Sequence, residues 1–213
     1  MDDLFPDSLN GPAQQLAPGV MVLPGRALAE QDSIWQTLQA VLQQAPLRQM
    51  QTPGGHTMSV SMSNCGALGW ISNRRGYCYS TNDPANGQPW PPLPDRLTGL
   101  ASAWAAEAGF PAFNSNACLI NCYVPGSRMS LHQDSDERDF TQPIVTLSLG
   151  LPARFILGGL QRELPTQKIR LMHGDVLVFG GPARLCFHGI MPLADGLHPL
   201  LGSRRISLTF RHA

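Results

Sequence analysis

His132-Gln133-Asp134, together with the distant His188 in Arg184-Leu185-Cys186-Phe187-His188-Gly189, combine residue types that could do chemistry. Two imidazoles and a carboxylate can hold a hard or borderline metal on one face and leave other positions open. Such a face suits Fe(II) and oxygen chemistry. Alternate side chains of an extended segment point the same way, so His132 and Asp134 share a face and Gln133 turns from it. The second histidine must then come from another strand, which the long gap to His188 allows. The HxD triplet also recurs by chance. The competing reading of His132 is a surface-loop histidine in the acidic run Asp134-Ser135-Asp136-Glu137.

The end of the chain adds a second polar face. Arg204 to Arg211 alternates strictly, with Ile206, Leu208 and Phe210 on one side and Arg205, Ser207, Thr209 and Arg211 on the other. An edge strand in water would look the same. Paired guanidinium groups also suit a small dicarboxylate, which they bind bidentately. The two Cα atoms lie about 20 Å apart along an extended strand. One arginine can therefore hold the far carboxylate while the other lies nearer the metal or the substrate. In Ala117 to Tyr123, Leu119, Asn121 and Tyr123 share a face, and two of the three can hydrogen-bond where a plain core face would be apolar. A strand with one wet face is the alternative.

These segments need a scaffold. Leu28 to Gln44 predicts a helix with Ile34, Leu38, Val41 and Leu42 at helical spacing. A second runs from about Pro94 to Ala108 and is stopped by Gly109 and Pro111. From Cys118 onward short strands alternate with Gly/Pro turns, which predicts a jelly-roll barrel backed by helices: mainly β, in the α+β class. Residues 49 to 92 read as a long irregular segment, a kind usually functional or mobile. Met58, Met62, Trp70, Tyr77, Tyr79 and Trp90 sit there among Gly, Ser, Asn and Pro. Such side chains could stack on an extruded base. They could equally pin the loop to the barrel, the reading preferred for Trp90 and Met58.

Composition sets the outer bounds. The 213 residues suit one domain with a sizeable core, and no apolar run is long enough to span a bilayer. The start, Met1-Asp2-Asp3-Leu4-Phe5-Pro6, lacks the charged-then-apolar order of a secretion signal, so a cytoplasmic location is expected. Five cysteines include no CxxC pair, and Cys118 and Cys122 lie about 13 Å apart on one strand face, too far to bridge. They read as small buried apolar groups in a reducing compartment, with Cys78 the exception. Lys+Arg and Asp+Glu number 15 each, which counts mildly against tight non-specific binding to DNA. Arg74, Arg75, Arg128 and Arg162 are candidates for phosphate contact or plain solvated charges. His173, His198 and His212 have no partner in the motif.

Taken together, the fragments resemble the Fe(II)- and 2-oxoglutarate-dependent dioxygenases, and within them the AlkB family of alkylated-nucleic-acid repair enzymes. The resemblance covers nearly the whole chain. It runs through Thr52-Pro53-Gly54-Gly55, Asn64-Cys65-Gly66, Leu68-Gly69-Trp70, Asn121 to Gly126, Leu131 to Asp134, Ser148-Leu149-Gly150, His173-Gly174-Asp175, His188-Gly189-Ile190 and the arginine strand. It implies a double-stranded β-helix (jelly roll) over 117–213, an N-terminal extension and helix over 1–47, a nucleotide-recognition lid over 48–92 and a supporting helix over 93–111. It implies Fe(II) on His132, Asp134 and His188, with 2-oxoglutarate and O2 as co-substrates. Arg205, helped by Tyr123, would take the distal carboxylate of 2-oxoglutarate. Asn121, Ser207 and Arg211 would lie toward its keto-acid end. Trp70, Tyr77, Cys78, Tyr79, Asp136 and Arg162 would contact the substrate. The implied reaction hydroxylates a methyl on a base nitrogen, in 1-methyladenine or 3-methylcytosine, and releases formaldehyde and succinate. The implied partner is alkylated single-stranded DNA, with RNA as a second option, and no stable protein partner or membrane is implied. Three positions depart from the family pattern: Ser207 for Asn, His56 for an aromatic tyrosine and Phe179 for tryptophan. An oxygenase of the same scaffold acting on a protein, lipid or metabolite is the alternative, and a non-enzymatic binding module a second.

Overall fold

A computed structural model describes residues 11–213. The first ten residues, with the start that bears on secretion, lie outside the described residues. The strands are β1 (Gln14–Ala17), β2 (Val20–Leu23), β3 (Arg48–Gln51), β4 (Thr57–Gly66), β5 (Gly69–Asn73), β6 (Gly76–Ser80), β7 (Ala117–Tyr123), β8 (Met129–His132), β9 (Ile144–Gly150), β10 (Ala153–Leu157), β11 (Gln167–Leu171), β12 (Val176–Phe179), β13 (His188–Ile190) and β14 (Arg205–Arg211). Helix α1 spans Gln31–Gln44 and α2 spans Asp95–Glu107. An eight-stranded sheet in the order β1-β2-β12-β9-β14-β7-β4-β3 faces a four-stranded sheet in the order β11-β10-β13-β8. All the pairings are antiparallel. This is the jelly roll with flanking helices that the turn spacing predicts. Among the described residues no helix is long and apolar enough to cross a membrane.

Strand alternation sorts the side chains into two layers. Cys118, Ile120 and Cys122 of β7, Val145, Leu147 and Leu149 of β9, and Ile206, Leu208 and Phe210 of β14 form one cluster with the helices. Helix α1 gives it Ile34, Leu38 and Val41, one to two turns apart on one stripe. Helix α2 gives it Leu97, Ala101 and Trp104. Leu38 is almost fully buried, so Leu38→Ala would cost about 2–5 kcal/mol. The alternate residues of the same strands face the second sheet, where Phe155, Leu157, Ile169, Leu171 and Ile190 form the other cluster. Strands β7, β9 and β14 are therefore buried on both faces. The polar half of β14 is enclosed in the barrel rather than turned to water.

The stretch read as irregular over 49–92 is largely strand. Strand β4 is ten residues long and pairs along β7, while β5 and β6 form a separate two-stranded hairpin. Ser, Asn and Gly crowd β4, so its sequence lacks the β-branched signature of a strand, and cross-strand packing overrides that local preference. The eight-stranded sheet thus draws β1 and β2 from the stretch 1–47 and β3 and β4 from 48–92. Trp90 is buried against Gly69 and donates from Nε1 to the Ser80 carbonyl, and Met58 packs on the inter-sheet cluster, so both pin the segment as expected. No disulfide forms: Cys65, Cys118 and Cys122 are buried, Cys186 is half-buried and Cys78 is exposed.

Candidate metal centre and anion pocket

The metal face is built by two neighbouring strands. His132 ends β8, His188 begins β13, and the two are direct register partners in the smaller sheet. Gly189 permits the close approach, because a Cβ there would stand 2.7 Å from the Met129 carbonyl oxygen. Asp134 follows two residues after His132. One ligand atom from each of His132, Asp134 and His188 lies within 4.8 Å of the others. His132 Nε2 is 3.6 Å from Asp134 Oδ1, and His188 Nε2 is 3.7 Å from Asp134 Oδ2. On the other side of each ring, Nδ1 meets a backbone carbonyl: Ser130 O at 2.9 Å for His132 and Cys186 O at 3.0 Å for His188. A carbonyl can only accept, so each Nδ1 carries the proton and each Nε2 turns a lone pair inward, the arrangement a metal needs.

Charge and burial support the same reading. Burial pulls the His188 pKa down to about 4, against the opposing pull of Asp134, so the ring is neutral at physiological pH. Burial also works against the Asp134 anion. Arg211, His188 and His132 outweigh it and hold that carboxyl well below the usual range. Arg211 Nη2 donates to Asp134 Oδ2 at 2.7 Å. Phe155 stacks on the His188 ring at 5.7 Å, and Phe179 tilts against it at 5.0 Å. These rings keep water from one side of the ligand.

The barrel interior also holds buried polar groups that could bind an anion. Cross-strand register sets Arg205 opposite Tyr123 and Gly150, and Ser207 opposite Asn121 and Ser148. A polar row therefore crosses the barrel floor where hydrophobic residues would otherwise meet. The Arg205 guanidinium lies over the Tyr123 ring at 5.1 Å, and its Nη2 donates to Ser148 Oγ at 2.9 Å. Arg205 is only 1% exposed, yet its Nε and Nη1 have no partner, nor does Asn121 Oδ1. A buried cation with two idle donors is costly unless an anion completes it. The residues present thus fit a metal on the triad and a carboxylate on Arg205.

The substrate candidates fall into separate groups. Trp70 and Tyr77 stack at 5.5 Å with 15° between their planes. Trp70 Nε1 donates to Asp136 Oδ2 at 2.7 Å, and the Tyr79 hydroxyl donates to Glu137 Oε1 at 2.5 Å. The hairpin β5–β6 is thereby bonded to the segment that carries Asp134. Tyr77, Cys78, Tyr79 and Asp136 line a cavity of about 430 Å³ with Arg138. Within the hairpin, Trp70 pairs with Tyr79 while Cys78 pairs with Ile71, which puts Cys78 on the alternate side of the ribbon. Arg162 is exposed, its guanidinium 4.9 Å over the ring of Phe187, the neighbour of His188. His56 is exposed in the turn between β3 and β4, where its backbone pairs with Thr52. His173 closes a turn, accepting from the Gly150 amide, and His198 and His212 also stay outside the site.

Two charged residues near the site escape sequence reasoning. Glu137 and Arg184 are buried and paired at 3.0 Å. The acidic run around Glu137 reads as solvated surface, and only the placement of Arg184 four residues before His188 hints at a role.

A double-stranded β-helix that carries a 2-His-1-carboxylate face beside a buried arginine defines a class of oxygenase, and residues 19–211 match the 2OG-Fe(II) oxygenase superfamily. The alpha-ketoglutarate-dependent dioxygenases AlkB of Salmonella typhimurium and Escherichia coli are 51% and 50% identical to this chain. Each alignment covers 100% of the chain and 98% of the relative. The solved structure of OsALKBH1 superimposes with a TM-score of 0.80 at 28% identity, over 95% of this chain and 100% of that one. The chain belongs to the AlkB family of Fe(II)- and 2-oxoglutarate-dependent dioxygenases. Its cofactor is Fe(II) and its co-substrates are 2-oxoglutarate and O2.

Proposed function

We propose that this enzyme oxidatively demethylates N-alkylated bases in nucleic acid, with 1-methyladenine and 3-methylcytosine in single-stranded DNA as targets and RNA as a second substrate. With Fe(II) bound, O2 would be the oxidant and 2-oxoglutarate the co-reductant: one oxygen atom would end in succinate as CO2 is lost, and the other would hydroxylate the N-methyl group, which leaves as formaldehyde. His132, Asp134 and His188 hold the metal in this reading. Arg205 and Tyr123 hold the far carboxylate, and Asn121, Ser207 and Arg211 orient the keto-acid end. Ser207 reaches less far than an Asn would, so Asn121 and Ser148 carry more of that row.

The observation that carries the nucleotide reading is the hairpin. Its stacked Trp70–Tyr77 pair, with Asp136 at the indole edge, is tied to the Asp134 segment by two hydrogen bonds. A base methylated on a ring nitrogen is cationic or easily protonated, and it is cheaper to flip because its pairing edge is blocked. An aromatic face and a carboxylate suit such a cation. Tyr79, Cys78 and Arg162 complete the proposed substrate contacts, over the 48–92 stretch read as a lid, and the enzyme works in the cytoplasm. A stacked aromatic platform tied to the metal segment favours a flat base over a protein, lipid or small-metabolite substrate.

The test is direct. The protein is loaded anaerobically with Fe(II) and 2-oxoglutarate, then exposed to air with a single-stranded 3-methylcytosine oligonucleotide. Mass spectrometry should show loss of one CH2 per lesion, dependent on both additions, with formaldehyde released. Consumption of 2-oxoglutarate without formaldehyde from any methylated oligonucleotide refutes the substrate class.

A further inference from the structure

The buried pair Arg184–Glu137 has no place in the metal face or the anion pocket, yet it touches the parts that hold both. Arg184 is 3% exposed and uses every arm of its guanidinium. Nε donates to the Gln142 carbonyl at 3.0 Å, Nη1 to the Asp134 carbonyl at 2.8 Å and Nη2 to Glu137 Oε2 at 3.0 Å. The other oxygen of Glu137 accepts from Tyr79 and lies 3.4 Å from Arg211 Nε, at ion-pair distance. Arg211 in turn bonds the Asp134 carboxylate. Asp134 is thus gripped at its backbone by Arg184 and at its side chain by Arg211, and Glu137 is the anion between the two cations.

Burying two arginines and two carboxylates is expensive, and apolar residues of similar volume are often as stable or more so. A structural core has no need of this quartet. A metal site does, because a ligand must be held within a fraction of an ångström and outer partners fix it.

We propose that Arg184 and Glu137 are positioning residues for the metal face, Arg184 by fixing the Asp134 backbone and Glu137 by fixing Arg211 against the Asp134 carboxylate. The inference rests on the reading of His132, Asp134 and His188 as the metal ligands. Arg184→Lys keeps the charge but cannot make three directed bonds. Glu137→Gln keeps the shape and one acceptor but removes the anion between the cations. Both variants, with His132→Ala and the native protein, are titrated anaerobically with Co(II) and followed by visible absorption, and each apoprotein is melted alone.

Co(II) affinity should weaken about 10- to 100-fold in both variants, the usual effect of losing an outer partner of a metal ligand. The Co(II) bands should shift as the ligand field loosens, and succinate formed per formaldehyde released should rise. Glu137→Gln is near-isosteric and decides the question if Arg184→Lys does not fold. Native-like Co(II) affinity and bands in any folded variant, whatever its melting temperature, overturn the positioning role. Native-like Co(II) binding in His132→Ala overturns the metal reading instead.

Discussion

Arg205→Met separates the cost of a charge from its use. In the apoprotein the Arg205 guanidinium is buried with two donors idle, while one bond to Ser148 and the Tyr123 ring offset part of the desolvation. Methionine is similar in volume, though shorter, and has no charge, so the substitution removes the penalty along with those two contacts. The cation–π contact and the single hydrogen bond are each worth about 1–2 kcal/mol, against a penalty of several kcal/mol for the ion. The apoprotein should therefore melt at the native temperature or a few degrees above it. Binding of 2-oxoglutarate should fail. Two charge-assisted hydrogen bonds at about 1.5–3 kcal/mol each total roughly 3–6 kcal/mol, or a 10²- to 10⁴-fold weaker Kd. The assay is thermal shift, anaerobic, with Mn(II) as a redox-quiet metal and 2-oxoglutarate at a hundred times the native Kd. Native protein gains about 2.7 kcal/mol under these conditions, which at roughly 2–4 °C per kcal/mol is a shift of about 5–11 °C. The variant should gain less than about 2 °C. An apoprotein that melts well below native while keeping the full 2-oxoglutarate shift would refute the reasoning.

Other expectations follow from the same geometry. His132→Ala should leave the apoprotein melting within a degree or two of native, because the ring is partly exposed, and should abolish the Mn(II)-dependent shift. Trp70→Ala should raise the KM for a methylated oligonucleotide about 5- to 150-fold, the worth of one stacked base, with 2-oxoglutarate turnover in the absence of oligonucleotide largely kept. In urea titrations, stability should fall as pH drops from 6.5 toward 4. Burial and the nearby His198 hold the His173 pKa down to about 4, so the unfolded chain binds more protons in that window and stability rises with pH. His173→Asn should flatten part of that slope, although His188 contributes to it as well. A slope unchanged in the variant would show that folding does not depress the His173 pKa and that other groups set the pH dependence.

The alternation of β14 was legible because one strand carries two unlike faces, and each met the partner its chemistry requires: helices for Ile206, Leu208 and Phe210, and the barrel interior for Arg205, Ser207 and Arg211. The HxD pair was legible for the same reason, since period two is a property of any extended chain. Pairing is a different kind of fact. Nothing local says that Arg211 rather than Arg205 reaches Asp134, because that depends on where β14 and the segment after β8 sit in opposing sheets. Strand β4 was missed because its small polar residues fit only when β7 lies beside them. Glu137 and Arg184 were missed more completely. A charged residue reads as surface unless its partner is known, and here the partner lies 47 residues away. The acidic run after His132, which first argued for a solvated loop, therefore splits by function. Asp134 faces the metal site, Asp136 faces the hairpin, and Glu137 turns inward between two arginines. A run of like charges is tolerable in so small a space because each carboxylate has its own buried or half-buried donor, and those donors come from three different strands and loops.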